Sequence, residues 1–291
     1  MTKEGFLMTA IKSFIESARG LLKNPTALVI FAALYALLLA TSYFFIATRE
    51  ATVWQVMFTI AGLLVIPAEF FGLQAAILEH AEHGQFNWRG ILRDALKLLV
   101  VTIPILVLGY LLWILLNKWQ THFPAPPKVL VFETPHGPPQ RLPLHWPALW
   151  FATARCLLFG VALPLLTIHL WIEVAGYELR ALFAGGAKSI LTRLGHVCAR
   201  AFQSDSVFTY ALGLIVFVLV PYALLFVPVT IKGNKTEFAF FIFRLVLVFA
   251  FTLVGWIVTV SALARNALRA PEARQNVAPG VSPGEPALQN T

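Results

Sequence analysis

The chain has 291 residues, 58% of them hydrophobic and only 12% charged, with a formal net charge of +8. Soluble domains carry about 45–50% apolar and about 25% charged residues, so a soluble globular fold is excluded. The basic residues flank apolar runs and are not interleaved with aromatics, so topology and anionic lipid headgroups explain the charge, and nucleic acid is not an expected partner.

Taken in chain order, residues 5–23 read as an amphipathic helix lying in the headgroup plane. Leu7, Ile11, Phe14, Ile15, Ala18, Leu21 and Leu22 form its apolar face, and Lys12, Glu16, Arg19 and Lys23 form the other. The acidic residues argue against a cleavable signal peptide. Asn24-Pro25 ends this helix and opens span 1, about 26–48. Span 2, about 53–78, follows a short connection and carries Pro67 and Glu69. It runs on through Glu79, His80, Glu82 and His83 to Gly84, a helix stop.

Residues 86–97 read as a second amphipathic helix, with Phe86, Ile91, Leu92, Ala95 and Leu96 opposed to Arg89, Arg93, Asp94 and Lys97. Span 3 covers about 98–116. The Pro-rich connection 117–147 holds a possible β-hairpin, Lys128–Glu133 against Arg141–Leu144. Span 4, 148–175, is interrupted only by Arg155, His169 and Glu173. At about 1.5 Å per residue it is long enough for a bilayer core of about 30 Å. A third amphipathic helix, 189–202, places Ile190, Leu191, Leu194, Val197, Cys198, Ala201 and Phe202 opposite Lys188, Arg193, His196 and Arg200. Spans 5 and 6 cover about 207–231 and 238–264, the second interrupted by Arg244. The tail 271–291 has too little apolar surface to order itself.

The predicted fold class is therefore all-α, a polytopic membrane protein with six transmembrane helices and three interfacial amphipathic helices. Residues 1–25 form the N-terminal interfacial helix, 26–270 the six-span domain and 271–291 the tail. A surface helix followed by two spans recurs three times, a pattern that fits either duplication or the ordinary amphipathicity of helices beside membrane spans. Fourteen Lys and Arg fall on one side and six on the other, which predicts cytoplasmic termini. Cys156 and Cys198 then lie far apart and are expected to be unpaired.

Ionisable groups inside spans are costly and mark either structural pairing or function. His169 and Glu173 are four apart and share a helix face; with Glu69 they are candidates for a substrate or proton path, or for buried hydrogen bonds. Arg155 and Arg244, each about seven residues from the outer face, are candidates for gripping an anionic headgroup, or simply snorkel. Glu79, His80 and His83 have helical spacings that suit a metal, or are ordinary polar residues at a wet helix end. There is no G-x-S-x-G, Walker A or Rossmann glycine pattern, so the reading leans away from an enzyme. No cofactor is indicated.

The run Leu21-Leu22-Lys23-Asn24-Pro25 before a span, the alternation of surface helices with span pairs, and Gly84 after span 2 resemble bacterial polytopic membrane families. One is the membrane domain fused to glycerophosphodiester phosphodiesterases. The resemblance implies a bacterial inner membrane location and no catalytic residue within this body, the hydrolase being a separate domain in such proteins. The expected role is handling of a lipid or small solute, or support of a membrane process. The alternatives are a scaffold that packs on other membrane subunits, and a proton- or metal-linked transporter using Glu69, His169 and Glu173. The lipid bilayer is the expected partner throughout.

Overall fold

The computed structural model describes residues 3–48, 52–124, 145–176, 186–228 and 233–275. These form α1 (Lys3–Leu22), α2 (Pro25–Ala47), α3 (Val53–His83), α4 (Trp88–Gln120), α5 (Trp146–Ala175), α6 (Gly186–Ala201), α7 (Ser204–Phe226) and α8 (Asn234–Gln275). No strand occurs among the described residues; the expected hairpin at 128–144 lies outside them. Six helices, α2, α3, α4, α5, α7 and α8, are long and apolar enough to cross a membrane. The chain is an all-α polytopic membrane protein.

Local chemistry sets the helix ends. Asn24 caps α2, its Oδ1 accepting the Ala27 amide at 3.1 Å with Pro25 in the first turn. The Thr52 hydroxyl accepts the Gln55 amide and donates to the Gln55 side chain at the start of α3. Gly84, at φ +69°, closes α3 with its N–H on the His80 carbonyl.

The helices differ from the sequence reading in their boundaries and in their internal turns. The surface helix 86–97 and span 3 are one helix, α4, because no breaker separates Lys97 from Leu98. Helix α8 continues through Pro271 to Gln275, carried by the helix-favouring Ala, Leu, Arg and Glu of that stretch; residues 276–291 lie outside the described ones. Helices α5 and α7 each contain a five-residue π turn, Leu158–Ala162 and Ile215–Leu219. Both stand in the same register to a proline, Pro164 and Pro221. The wide turn moves away the preceding carbonyl that the proline ring would strike. Pro67 and Pro104 sit in uninterrupted α-helix.

The chain divides into two compact units. Unit 1 comprises 1–37, 76–87 and 204–291, and α8 is its centre. Ile257 through Ala264 are buried on every side of the helix, and α1 and α7 pack against α8 and each other. Glycines make the α7–α8 approach possible. A Cβ on Gly213 would stand 2.1 Å from Thr259 Oγ1, and one on Gly255 would stand 2.9 Å from Phe217 Cβ. Helix α1 buries Ala10, Ser13, Ser17 and Leu21 while Met8, Ile15 and Leu22 are exposed. The inward stripe is offset from the expected apolar face, sharing Leu21 with it and adding small residues, and Ser13 Oγ donates to the Ala262 carbonyl at 3.4 Å. Lipid is as apolar as a leucine side chain, so close packing and hydrogen bonds decide which face meets protein.

Unit 2 comprises 38–75 and 88–203. Helices α4 and α5 pair, and α6 packs on the second half of α5 through Val197 and Ala201. Here the inward stripe is also rotated from the expected apolar face, of which Ile91 and Ala95 are buried. Asp94 and Lys97 are buried and joined by an ion pair of 2.7 Å, whereas Leu92 and Leu96 are 72% and 59% exposed. The buried stripe Ile91, Asp94, Ala95, Leu98 and Thr102 faces the protein, and the leucines are left to lipid. Buried positions of this unit include Phe71, Leu73, Gln74 and Ala75 of α3, the start of α4, the end of α5 and Val197 and Ala201 of α6, whereas the first turns of α5, Trp146–Leu157, bury nothing.

Candidate functional site

The candidate residues fall into five local groups. Glu69, two residues past Pro67, lies on the face of α3 toward α2. Its Oε1 accepts the Thr41 hydroxyl at 3.0 Å, and its buried Oε2 has no partner among the described residues. Thr41 also lines a groove of about 450 Å³ between α2 and α3, walled by Phe44, Phe45, Phe58 and Val65. Gly62 lets the helices approach there, since a Cβ on it would meet the Phe45 ring at 2.8 Å. The volume lies within the range of about 300–1,000 Å³ usual for small-molecule sites. An apolar slot whose wall carries a hydroxyl bonded to a carboxylate is the geometry for holding a chain and reading one polar group.

His169 is buried, 3% exposed, and neither ring nitrogen has a hydrogen-bond partner among the described residues. Glu173 shares its helix face but is tied to α6, with Arg200 Nη1 donating to its Oε2 at 3.3 Å. Glu173 is thus engaged with α6, while His169 has no hydrogen-bond partner among the described residues. Close by, Trp171 Nε1 donates to Thr102 Oγ1 at 2.8 Å, and the Trp171 ring stands edge-on to Phe70 and Phe71. These contacts join α3, α4 and α5 through Trp171, two residues along the helix from His169.

Arg155 Nη2 donates to Asn117 Oδ1 at 2.7 Å and to Gln120 Oε1, with Cζ 5.2 Å from the Trp113 ring centre. Arg244 Nη2 donates to the Val227 carbonyl at 2.8 Å, with Cζ 5.7 Å from the Phe240 ring centre. Each arginine is settled by neutral partners in its own unit.

Glu79 and His83 form an ion-pair contact of 3.5 Å in which the imidazole is largely exposed. The His80 ring is stacked on Phe86 at 5.3 Å and meets the Phe31 ring edge-on. Among the described residues no group of three or more His, Cys, Asp and Glu is placed to hold a metal ion. Cys156 and Cys198 are free thiols.

The sequence reading singled out the charged residues in spans and missed their neutral partners. Thr41, Asn117 and Gln120 carry no signal of their own in an apolar run. Asn117 and Gln120 could be found only by noting that Trp113, Asn117 and Gln120 share one helix face at i, i+4 and i+7. The chain matches no family model, no curated protein and no solved structure.

Proposed function

We propose that this membrane protein binds a lipid or similar amphiphile in the groove between α2 and α3, with Glu69 and Thr41 reading a polar group on it. One observation carries the reading: Thr41 both lines the aromatic groove and donates to Glu69, whose buried second oxygen has no partner among the described residues. A carboxylate at this depth is costly unless something meets it, and the phenylalanine walls supply the apolar surface that an acyl chain covers. The Lys/Arg bias puts the termini in the cytoplasm, so the groove faces the outer leaflet.

The test is native mass spectrometry of the full chain from mild detergent. Wild type should retain a bound amphiphile. Ala61→Phe, which fills the groove without touching Glu69, and Glu69→Ala should both release it with the fold intact. Folded variants that keep the same adduct would defeat the reading.

A second reading, proton-linked transport, is favoured by His169 alone, a buried imidazole with no partner for either nitrogen among the described residues. It expects flux in proteoliposomes driven by a pH gradient and abolished by His169→Gln. Gradient-independent permeation would remove it.

A further inference from the structure

Arg155 is held far more firmly than a snorkelling side chain needs. A lone arginine at a membrane surface reaches for water and headgroups and keeps its rotamer freedom. Here one guanidinium nitrogen is fixed by two amide oxygens, Asn117 Oδ1 and Gln120 Oε1, and the Cζ carbon lies near the Trp113 ring. The three partners form one stripe along the last two turns of α4. All are neutral, and among the described residues no Asp or Glu is within ion-pair distance of Arg155. Its Nε is buried and has no acceptor among them.

The height of the group follows from its partners. Arg155 starts nine residues into α5, about 13 Å along the helix, but Gln120 is the final residue of α4, so the guanidinium is drawn to the helix end. Trp113, Trp119, Trp146 and Trp150 are exposed around that end, as residues at the headgroup level are. The conformational cost of fixing the arginine is met within the fold, while no carboxylate among the described residues cancels its charge. Such a preorganised cation gains most from an anion with several acceptor oxygens.

We infer that the corner of α4 and α5 binds the phosphate of an anionic phospholipid headgroup through Arg155, held in place by Asn117, Gln120 and Trp113. The inference is independent of the groove between α2 and α3 and uses none of its residues.

The experiment titrates the full chain in mild detergent with phosphatidylglycerol and, separately, with the phosphate-free lipid diglucosyl-diacylglycerol, reading bound lipid by native mass spectrometry. Wild type should prefer phosphatidylglycerol by about tenfold or more, the scale of a charged hydrogen-bonded contact. Arg155→Gln should abolish the preference. Gln120→Glu separates binding from a merely structural tie. It keeps an oxygen for the guanidinium, so the thermal midpoint should hold or rise, but it neutralises the cation, so the preference should fall toward unity. A Gln120→Glu protein that retains full preference would overturn the proposal. So would displacement of the bound lipid by excess inorganic phosphate, which would mark a soluble-anion site.

Discussion

The two units are assembled by different means. Unit 1 is held by close approach: glycines at 213 and 255, the small stripe of α1, and a central helix whose buried polar atoms are hydroxyls such as Thr259 and Ser261. Unit 2 is held by specific polar joints. Asp94–Lys97, Glu173–Arg200, Thr102–Trp171, Thr41–Glu69 and Arg155 with its amides each tie groups that lipid would not tolerate alone. Close packing gives rigidity and little chemistry. Polar joints give the fold its ionisable interior, and both proposed binding sites belong to that unit for this reason.

The largest effect expected from this contrast lies at Lys97, which is only 3% exposed. Lys97→Met leaves Asp94 buried with only the longer contact to Arg93 at 3.7 Å, and should cost about 3–5 kcal/mol. Adding Asp94→Leu should restore most of the loss, because exchange of a whole buried pair for apolar groups is often close to neutral. Unfolding by SDS titration in mixed micelles checks both. A single variant as stable as wild type would show that unit 2 does not depend on this joint.

Next comes Gly213→Ala in unit 1. The new methyl overlaps the Thr259 side chain, and overpacking of this kind costs about 1–3 kcal/mol. Thr259→Gly in the same chain should recover part of it by removing the obstructing atoms. Failure of the pair to interact in a double-mutant cycle would refute the α7–α8 register.

A smaller loss is expected for Trp171→Phe. It removes the indole N–H that donates to Thr102, whose hydroxyl already donates to the Leu98 carbonyl at 2.6 Å. The expected cost is about 1 kcal/mol, read by the same titration. Thr102→Val removes this bond together with the one to the Leu98 carbonyl, so adding Trp171→Phe to it should cost little more than Thr102→Val alone.

How much of this was legible in the sequence depends on which physical rule applied. Hydropathy and length located all six spans, because an apolar run of that length has few other uses. Asn24-Pro25 and Gly84 marked real helix ends for stated stereochemical reasons. The charged residues in spans were legible as unusual, and Glu69, His169 and Arg155 do sit at distinctive places. What was not legible was the direction each helix faces. In water an amphipathic helix turns leucine toward protein; in lipid leucine is at home outside, and serine, aspartate and lysine need the interior. The stripes that α1 and the start of α4 turn inward are therefore rotated from the apolar faces read in the sequence, keeping Leu21, Ile91 and Ala95 and adding Ser13, Ser17, Asp94 and Lys97. The partners of the site residues were also hidden, since Thr41 and Gln120 matter only through contacts across helices.

The smallest predicted effect tests that rotation most directly. Leu92 and Leu96 lie on the face that an aqueous reading of α4 would bury, yet both are exposed in the fold. Truncating either to Ala removes surface that touches lipid and leaves the helix packing intact, so each should change stability by less than about 0.5 kcal/mol. Ile91→Ala, one position away but 3% exposed, should cost about 2 kcal/mol or more, as buried aliphatic truncations do. The comparison holds the helix, the depth and the side-chain class nearly constant and changes only the facing direction. A loss at Leu92 or Leu96 as large as that at Ile91 would mean that these leucines meet protein, and the inward placement of Asp94 and Lys97 would fall with it.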